Sequence, residues 1–150
     1  MGLKHLRAFL KRHRRVAIDS CVFIYQFEAH PRYVELTDPI FRWVQGEGAE
    51  GCTSTLTLTE LLVQPYRHCD QQRVDEFFAL ITAYPNLTWI PPDLSIAAVA
   101  ARIRAAHRLR TPDAVQAATA LHVGATGLIS NDAAFAKWSS VEVLLLDHLL

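Results

Sequence analysis

Short runs of small or apolar residues alternate along this chain with longer stretches in which apolar positions recur every three to four residues. Val16 to Asp19, Gly51-Cys52-Thr53-Ser54, Leu87 to Ile90, Gly127-Leu128-Ile129-Ser130 and Val141 to Leu146 are of the first kind and predict short buried strands. Ser20 to Glu28 reads as the helix after the first strand, and Pro31 opens a segment running through Phe41, Trp43 and Val44 to a Gly46-Glu47-Gly48 turn. Thr55 to Thr59 alternates as a half-exposed strand would, but Leu58, Leu61 and Leu62 favour a helix from about Thr55 to near Pro65. Val74, Phe77, Phe78 and Ile81 mark a helix over 70–83, and the Ala-rich stretch from Leu94 to Leu109 marks another. Thr111 as N-cap with Pro112 in the first turn begins a helix that ends near Gly124. A short helix through Phe135 and Trp138 precedes the last strand.

Strands alternating with helices imply a mostly parallel sheet of four to five strands, covered on both faces: a three-layer α/β/α fold. Such sheets carry their sites beyond the C-terminal ends of the strands, where the strand order reverses. No repeat or linker divides the 150 residues, so residues 16–150 read as one domain.

Composition narrows the class. A 51% hydrophobic content argues against disorder, and no apolar run approaches the roughly 18 residues of a membrane span. With no secretory h-region either, the expected setting is cytoplasmic and the three cysteines are expected to be reduced, buried thiols. Neither they nor the seven histidines show a zinc-binding spacing. Net charge is zero but uneven: residues 1–15 hold six cations and no acid, leaving nine cations against fifteen acids beyond them. Leu3, Leu6, Phe9 and Leu10 fall near helical spacing. This basic N-terminal extension is either an amphipathic helix, suited to a nucleic-acid backbone or a membrane surface, or a solvated leader.

The acids supply the chemistry. Asp19 ends the first strand and Asp132 follows the Gly127–Ser130 strand, so both point to one sheet edge. Asp113 lies in the first turn of the Pro112 helix, and Glu60 on the helix after the second strand. Each has an ordinary explanation: a helix cap for Asp19, a dipole partner for Asp113, a solvated position for Glu60, a turn for Asp132. Together they can converge on one pocket, where like charges repel unless a hard divalent cation such as Mg²⁺ or Mn²⁺ joins them. Phosphodiester hydrolysis suits that arrangement. Arg110, three residues before Asp113, is the best candidate for a phosphate contact, whereas Arg102 and Arg104 read as surface charge. Phe41, Trp43, Phe77 and Phe78 read as core or dimer contacts.

The stretches "VAIDSCVFIY", "TSTLTLTELL", "TPDAVQAATA" and "GLISNDAAF", in that order, resemble the four motifs of the PIN-domain nucleases, and most closely those of VapC toxins. The matching positions are Asp19-Ser20, Glu60, Asp113-Ala114-x-x-Ala117-Ala118 and Ser130-x-Asp132, with Asn131 standing inside the fourth motif. The resemblance implies a metal-dependent endoribonuclease, often a homodimer, held inactive by a cognate antitoxin protein. Asp19, Asp113 and Asp132 would ligate metal, and Glu60 would bind it through water or act as a base. Ser20 and Ser130 would orient ligands or substrate, and Asn131 is grouped with them. The main rival is a non-catalytic PIN-like module that binds RNA or protein without cutting. An aspartyl-phosphate phosphatase is disfavoured because Asp19-Ser20-Cys21 lacks a second acid.

Overall fold

The computed structural model describes all residues from 1 to 150. Its centre is a five-stranded sheet: β1 (Arg15–Ile18), β2 (Glu50–Ser54), β3 (Leu87–Ile90), β4 (Gly127–Ser130) and β5 (Glu142–Leu145). Every pairing is parallel and the order is β3-β2-β1-β4-β5. The chain leaves β1 toward β2 and β3 on one side and later returns to place β4 and β5 on the other. The order therefore reverses at the β1–β4 seam, where Val16 faces Gly127 and Ile18 faces Ile129.

The pleat divides the core into two layers. Val16, Ile18, Ile129 and Leu144 enter one layer with α1 (Gly2–Arg12), α2 (Ser20–Phe27), α3 (Val34–Trp43), α4 (Leu56–Arg67) and α5 (Gln71–Thr82). Ala17, Cys52, Leu128 and Leu145 enter the other, under α6 (Leu94–His107) and α7 (Thr111–His122). Two 3₁₀ turns, Ala133–Lys137 and Leu146–Leu149, follow β4 and β5. The three-layer α/β/α expectation holds, and no helix is long and apolar enough to cross a membrane.

Of the two readings of the basic leader, the amphipathic helix is the one that forms. α1 buries Leu6, Phe9 and Leu10, so it is a layer of the core and not a solvated tail. Its end is tied down by His13, whose ring nitrogens bond Thr126 Oγ1 at 2.8 Å and Glu142 Oε2 at 2.6 Å. Gly127 has no side chain for a packing reason: a Cβ there would stand 2.6 Å from Phe9 Cζ.

Several local expectations are corrected. α4 does not stop near Pro65 but continues to Arg67. The proline forfeits only its own bond to the preceding turn, and its ring is buried. Thr111 is not the N-cap of α7; Arg110 holds that place in extended geometry, and the Thr111 hydroxyl accepts from Arg104 instead, at 2.9 Å. Cys52 is buried, but Cys69 is exposed and Cys21 only partly covered. Phe41 and Phe77 are core residues, whereas Phe78 is exposed.

Candidate active site

Asp19 follows the last residue of β1 and caps α2. Its Oδ1 accepts from the Ser20 N–H at 2.8 Å, and its Oδ2 accepts from the Ser130 hydroxyl at 2.6 Å. The cap explains one oxygen only. The carboxyl is 5% exposed and forms no ion pair with any cation of the chain. Burial pushes its pKa up to about 6, against the two hydrogen bonds, and the charges of Asp113 and Glu60 push the same way.

The other three acids come from three other elements. Glu60, on α4, accepts from the Ser20 hydroxyl at 2.7 Å, so Ser20 joins the first and second motifs. Asp113, in the first turn of α7, is buried; burial raises its pKa, Asp132 raises it further and Arg110 opposes both. Asp132 starts the first 3₁₀ turn, where its Oδ1 accepts from the Ala134 N–H at 2.9 Å while its own N–H donates to Ser130 Oγ at 3.1 Å. Ser130 thus lies beneath the site, fully buried, bonded to Asp19 and to the backbone of Asp132.

Arg110 bridges two of the acids, with Nε 3.2 Å from Asp113 Oδ2 and Nη2 3.6 Å from Asp132 Oδ2. Its side chain is 77% exposed, so it can swing away without loss to the core. Asn131 lines the cleft, but its amide is engaged elsewhere: Oδ1 accepts from the Asp147 N–H at 2.8 Å and Nδ2 donates to the Tyr25 hydroxyl at 3.3 Å.

These acids, with Ser20, Asn131 and Arg110, line an open cleft of about 360 Å³ at the C-terminal end of the β1–β4 seam. A larger depression of about 490 Å³ at the opposite sheet edge holds a single acid, Glu50, already bonded by Arg15. Sequence reasoning missed four lining residues, Cys21, Ile24, Tyr25 and Ala133. The spacing of the first three on the helix that Asp19 caps puts them on one face, which was the available signal. It also missed a buried clamp. Gln116 donates to Thr57 Oγ1 at 2.7 Å and accepts from the Ser54 N–H at 3.2 Å, and Thr57 bonds Thr53 at 2.7 Å. Gln116 and Thr57 lie one turn from Asp113 and Glu60, so the clamp sets the spacing of two acidic helices.

The donor set fits a hard divalent cation: all oxygen, net negative, with a buried carboxylate that no side-chain cation neutralises. No three of these side chains stand close enough together to hold an ion between them as they lie. Mg²⁺ and Mn²⁺ keep several waters and take one or two carboxylates.

A family model described as PIN domain matches residues 16–140. The chain belongs to the PIN domain family. That is a family of nucleases, and helix α1 lies outside the matched stretch. No match to a curated protein sequence is found. The fold is shared with a toxin–antitoxin complex from Klebsiella pneumoniae (20% identity, 87% of this chain and 97% of that chain, TM-score 0.64). It is shared too with VapBC2 from Rickettsia felis bound to a DNA fragment from its promoter (13% identity, 87% and 98%, TM-score 0.66). VapC20 of Mycobacterium tuberculosis, a sarcin–ricin loop cleaving toxin, has 16% identity over 85% of this chain and 98% of that chain, with TM-score 0.68.

Proposed function

We propose that this PIN domain is a metal-dependent endoribonuclease, the toxin of a toxin–antitoxin pair. The observation that carries the reading is Asp19: a buried, uncompensated carboxylate facing three further acids contributed by separate elements. A scaffold gains nothing from such repulsion, whereas a cation site needs it. The toxin–antitoxin complexes that share the fold support an antitoxin partner.

Asp19, Asp113 and Asp132 would hold Mg²⁺ or Mn²⁺. The ion, when bound, supplies Lewis acidity toward a phosphoryl oxygen and lowers the pKa of a bound water. The chain's own residues do the remaining work. Ser130 and the Ser20 N–H fix both oxygens of Asp19, so the ligand is oriented before substrate arrives. Glu60, which accepts from Ser20, would take a proton from the attacking water. Arg110, exposed and held only by Asp113 and Asp132, would be free to turn toward a phosphate were those two acids to ligate an ion.

The test is purified protein, freed of any bound partner, incubated with structured and unstructured RNAs in Mg²⁺, Mn²⁺ or EDTA, with Asp19→Asn in parallel. Cleavage should require metal and disappear in the variant, whose fold should survive. Binding without cleavage in every metal would instead establish the RNA-binding module.

A further inference from the structure

We propose that the seam between α1 and α3 is a second RNA-binding site, one that grips the phosphate backbone outside the catalytic cleft. It rests on the ribonuclease reading and goes beyond it, because α1 lies outside the stretch that matches the family.

Lys4, Arg7 and Lys11 recur at helical spacing on the exposed side of α1, and none is in an ion pair. The neighbouring basic residues differ. Arg12 is bonded to Glu142, while Arg14 and Arg15 approach Glu50. The basic leader therefore divides into a set spent on the fold and a set left free. Arg7 and Lys11 line a groove of about 370 Å³ together with Arg42 of α3, over a floor of Leu10, Pro39 and Trp43. No carboxylate lines it; the nearest acid contact is Asp38, 3.4 Å from Arg42. Three cations around an apolar, aromatic floor match a phosphodiester backbone with a base or sugar laid on Trp43.

The groove is connected to the cleft by the direction of α1. His13, at its end, bonds Thr126 and Glu142 at the starts of β4 and β5, while Gly2, at its beginning, abuts the Leu149 carbonyl beyond β5. α1 thus runs antiparallel to the strands and begins at the edge that carries the carboxylates.

An anionic membrane is the other polyanion to weigh. A helix that lies on a bilayer inserts its apolar face. In α1 that face is spent on the core, with Leu6 and Phe9 fully buried and Leu10 nearly so. RNA needs only the cations.

The test is fluorescence anisotropy of a labelled single-stranded RNA of about twenty nucleotides against Asp19→Asn protein, over a range of salt. Combining Lys4→Gln, Arg7→Gln and Lys11→Gln should weaken binding tenfold or more at low salt. It should also make the slope of log K against log salt shallower by about 2, at roughly 0.7 per phosphate contact on a single strand. A control triple of Arg67→Gln, Arg102→Gln and Arg108→Gln, with the same net charge, should leave the slope in place. In the active protein the α1 triple should raise KM for the long RNA and leave kcat/KM for a four-nucleotide substrate unchanged. An unchanged slope, equal losses from both triples, or binding to phosphatidylglycerol vesicles in place of RNA would each overturn the site. Failure of the wild type to cut any RNA, with the α1 effect on binding intact, would instead remove the nuclease reading alone.

Discussion

Ser130 donates its hydroxyl to Asp19 across the β1–β4 seam at 2.6 Å and accepts the Asp132 N–H at 3.1 Å. One side chain therefore holds the candidate metal ligand that follows β1 and positions the one that follows β4. The bond favours ionised Asp19 and works against burial. Removing it in Ser130→Ala should raise the Asp19 pKa further, moving the acid limb of the pH–rate profile up by about one pH unit. Ser130→Thr should restore the limb. A profile that does not move would detach Ser130 from Asp19 ionisation.

Asp19 itself should cost stability. Its carboxyl ionises near 6 in the fold, against 3.8 ordinarily, so between those values the folded chain holds more protons than the unfolded one. Stability then falls as pH rises through that window, by up to about 3 kcal/mol above it. Asp19→Asn in EDTA should melt about 3 to 10 °C above wild type at pH 7.5, with the gap closing near pH 4. Scanning calorimetry at both pH values decides it. A variant less stable than wild type at pH 7.5 would make Asp19 a structural cap.

Arg110 competes with any ion for Asp113 and Asp132. Arg110→Ala should therefore bind Mn²⁺ more tightly, by about two- to fivefold in titration calorimetry, because exposed ion pairs are worth under about 1 kcal/mol. RNA cleavage should fall at the same time, since the phosphate contact is lost. If metal affinity and cleavage fall together, Arg110 supports the acids instead of yielding to the ion.

Gln116→Leu keeps the volume but strips the clamp, leaving the Ser54 N–H and the Thr57 hydroxyl without this partner. Orphaned buried groups cost about 1–3 kcal/mol each. Urea denaturation should show a loss in that range, with kcat falling more than KM because Glu60 and Asp113 lose their fixed spacing. Equal stability in variant and wild type would make the clamp incidental.

Much of this architecture was legible because strand ends are local events. Val16-Ala17-Ile18 is bounded by charge on both sides, and Gly127 to Ser130 by a turn and an acid, so the sheet edge that collects Asp19 and Asp132 followed from pattern alone. What could not be read depends on partners far along the chain. Gln116, in an Ala-rich helix, looks like a solvent-facing polar residue until Ser54 and Thr57 arrive beside it. Asn131 stood next to an acid, yet its amide serves Tyr25 and Asp147. The leader's apolar spacing was visible, but the surface that covers it comes from α3 and from the last 3₁₀ turn at the far end of the chain.

That same wiring sets an order of events during synthesis. β1 emerges early, but the partner that completes its far side is β4, and the Asp19–Ser130 contact spans 111 residues. The leading helix waits longer still, for Glu142 and Leu149. Contacts of such separation close late, since the chain between them must first be ordered. A nascent chain still held on the ribosome has its first carboxylate but not the seam that orients it. The cleft comes into being only when β4 is free to dock on β1, so an unfinished copy carries its acids without the pocket that gathers them.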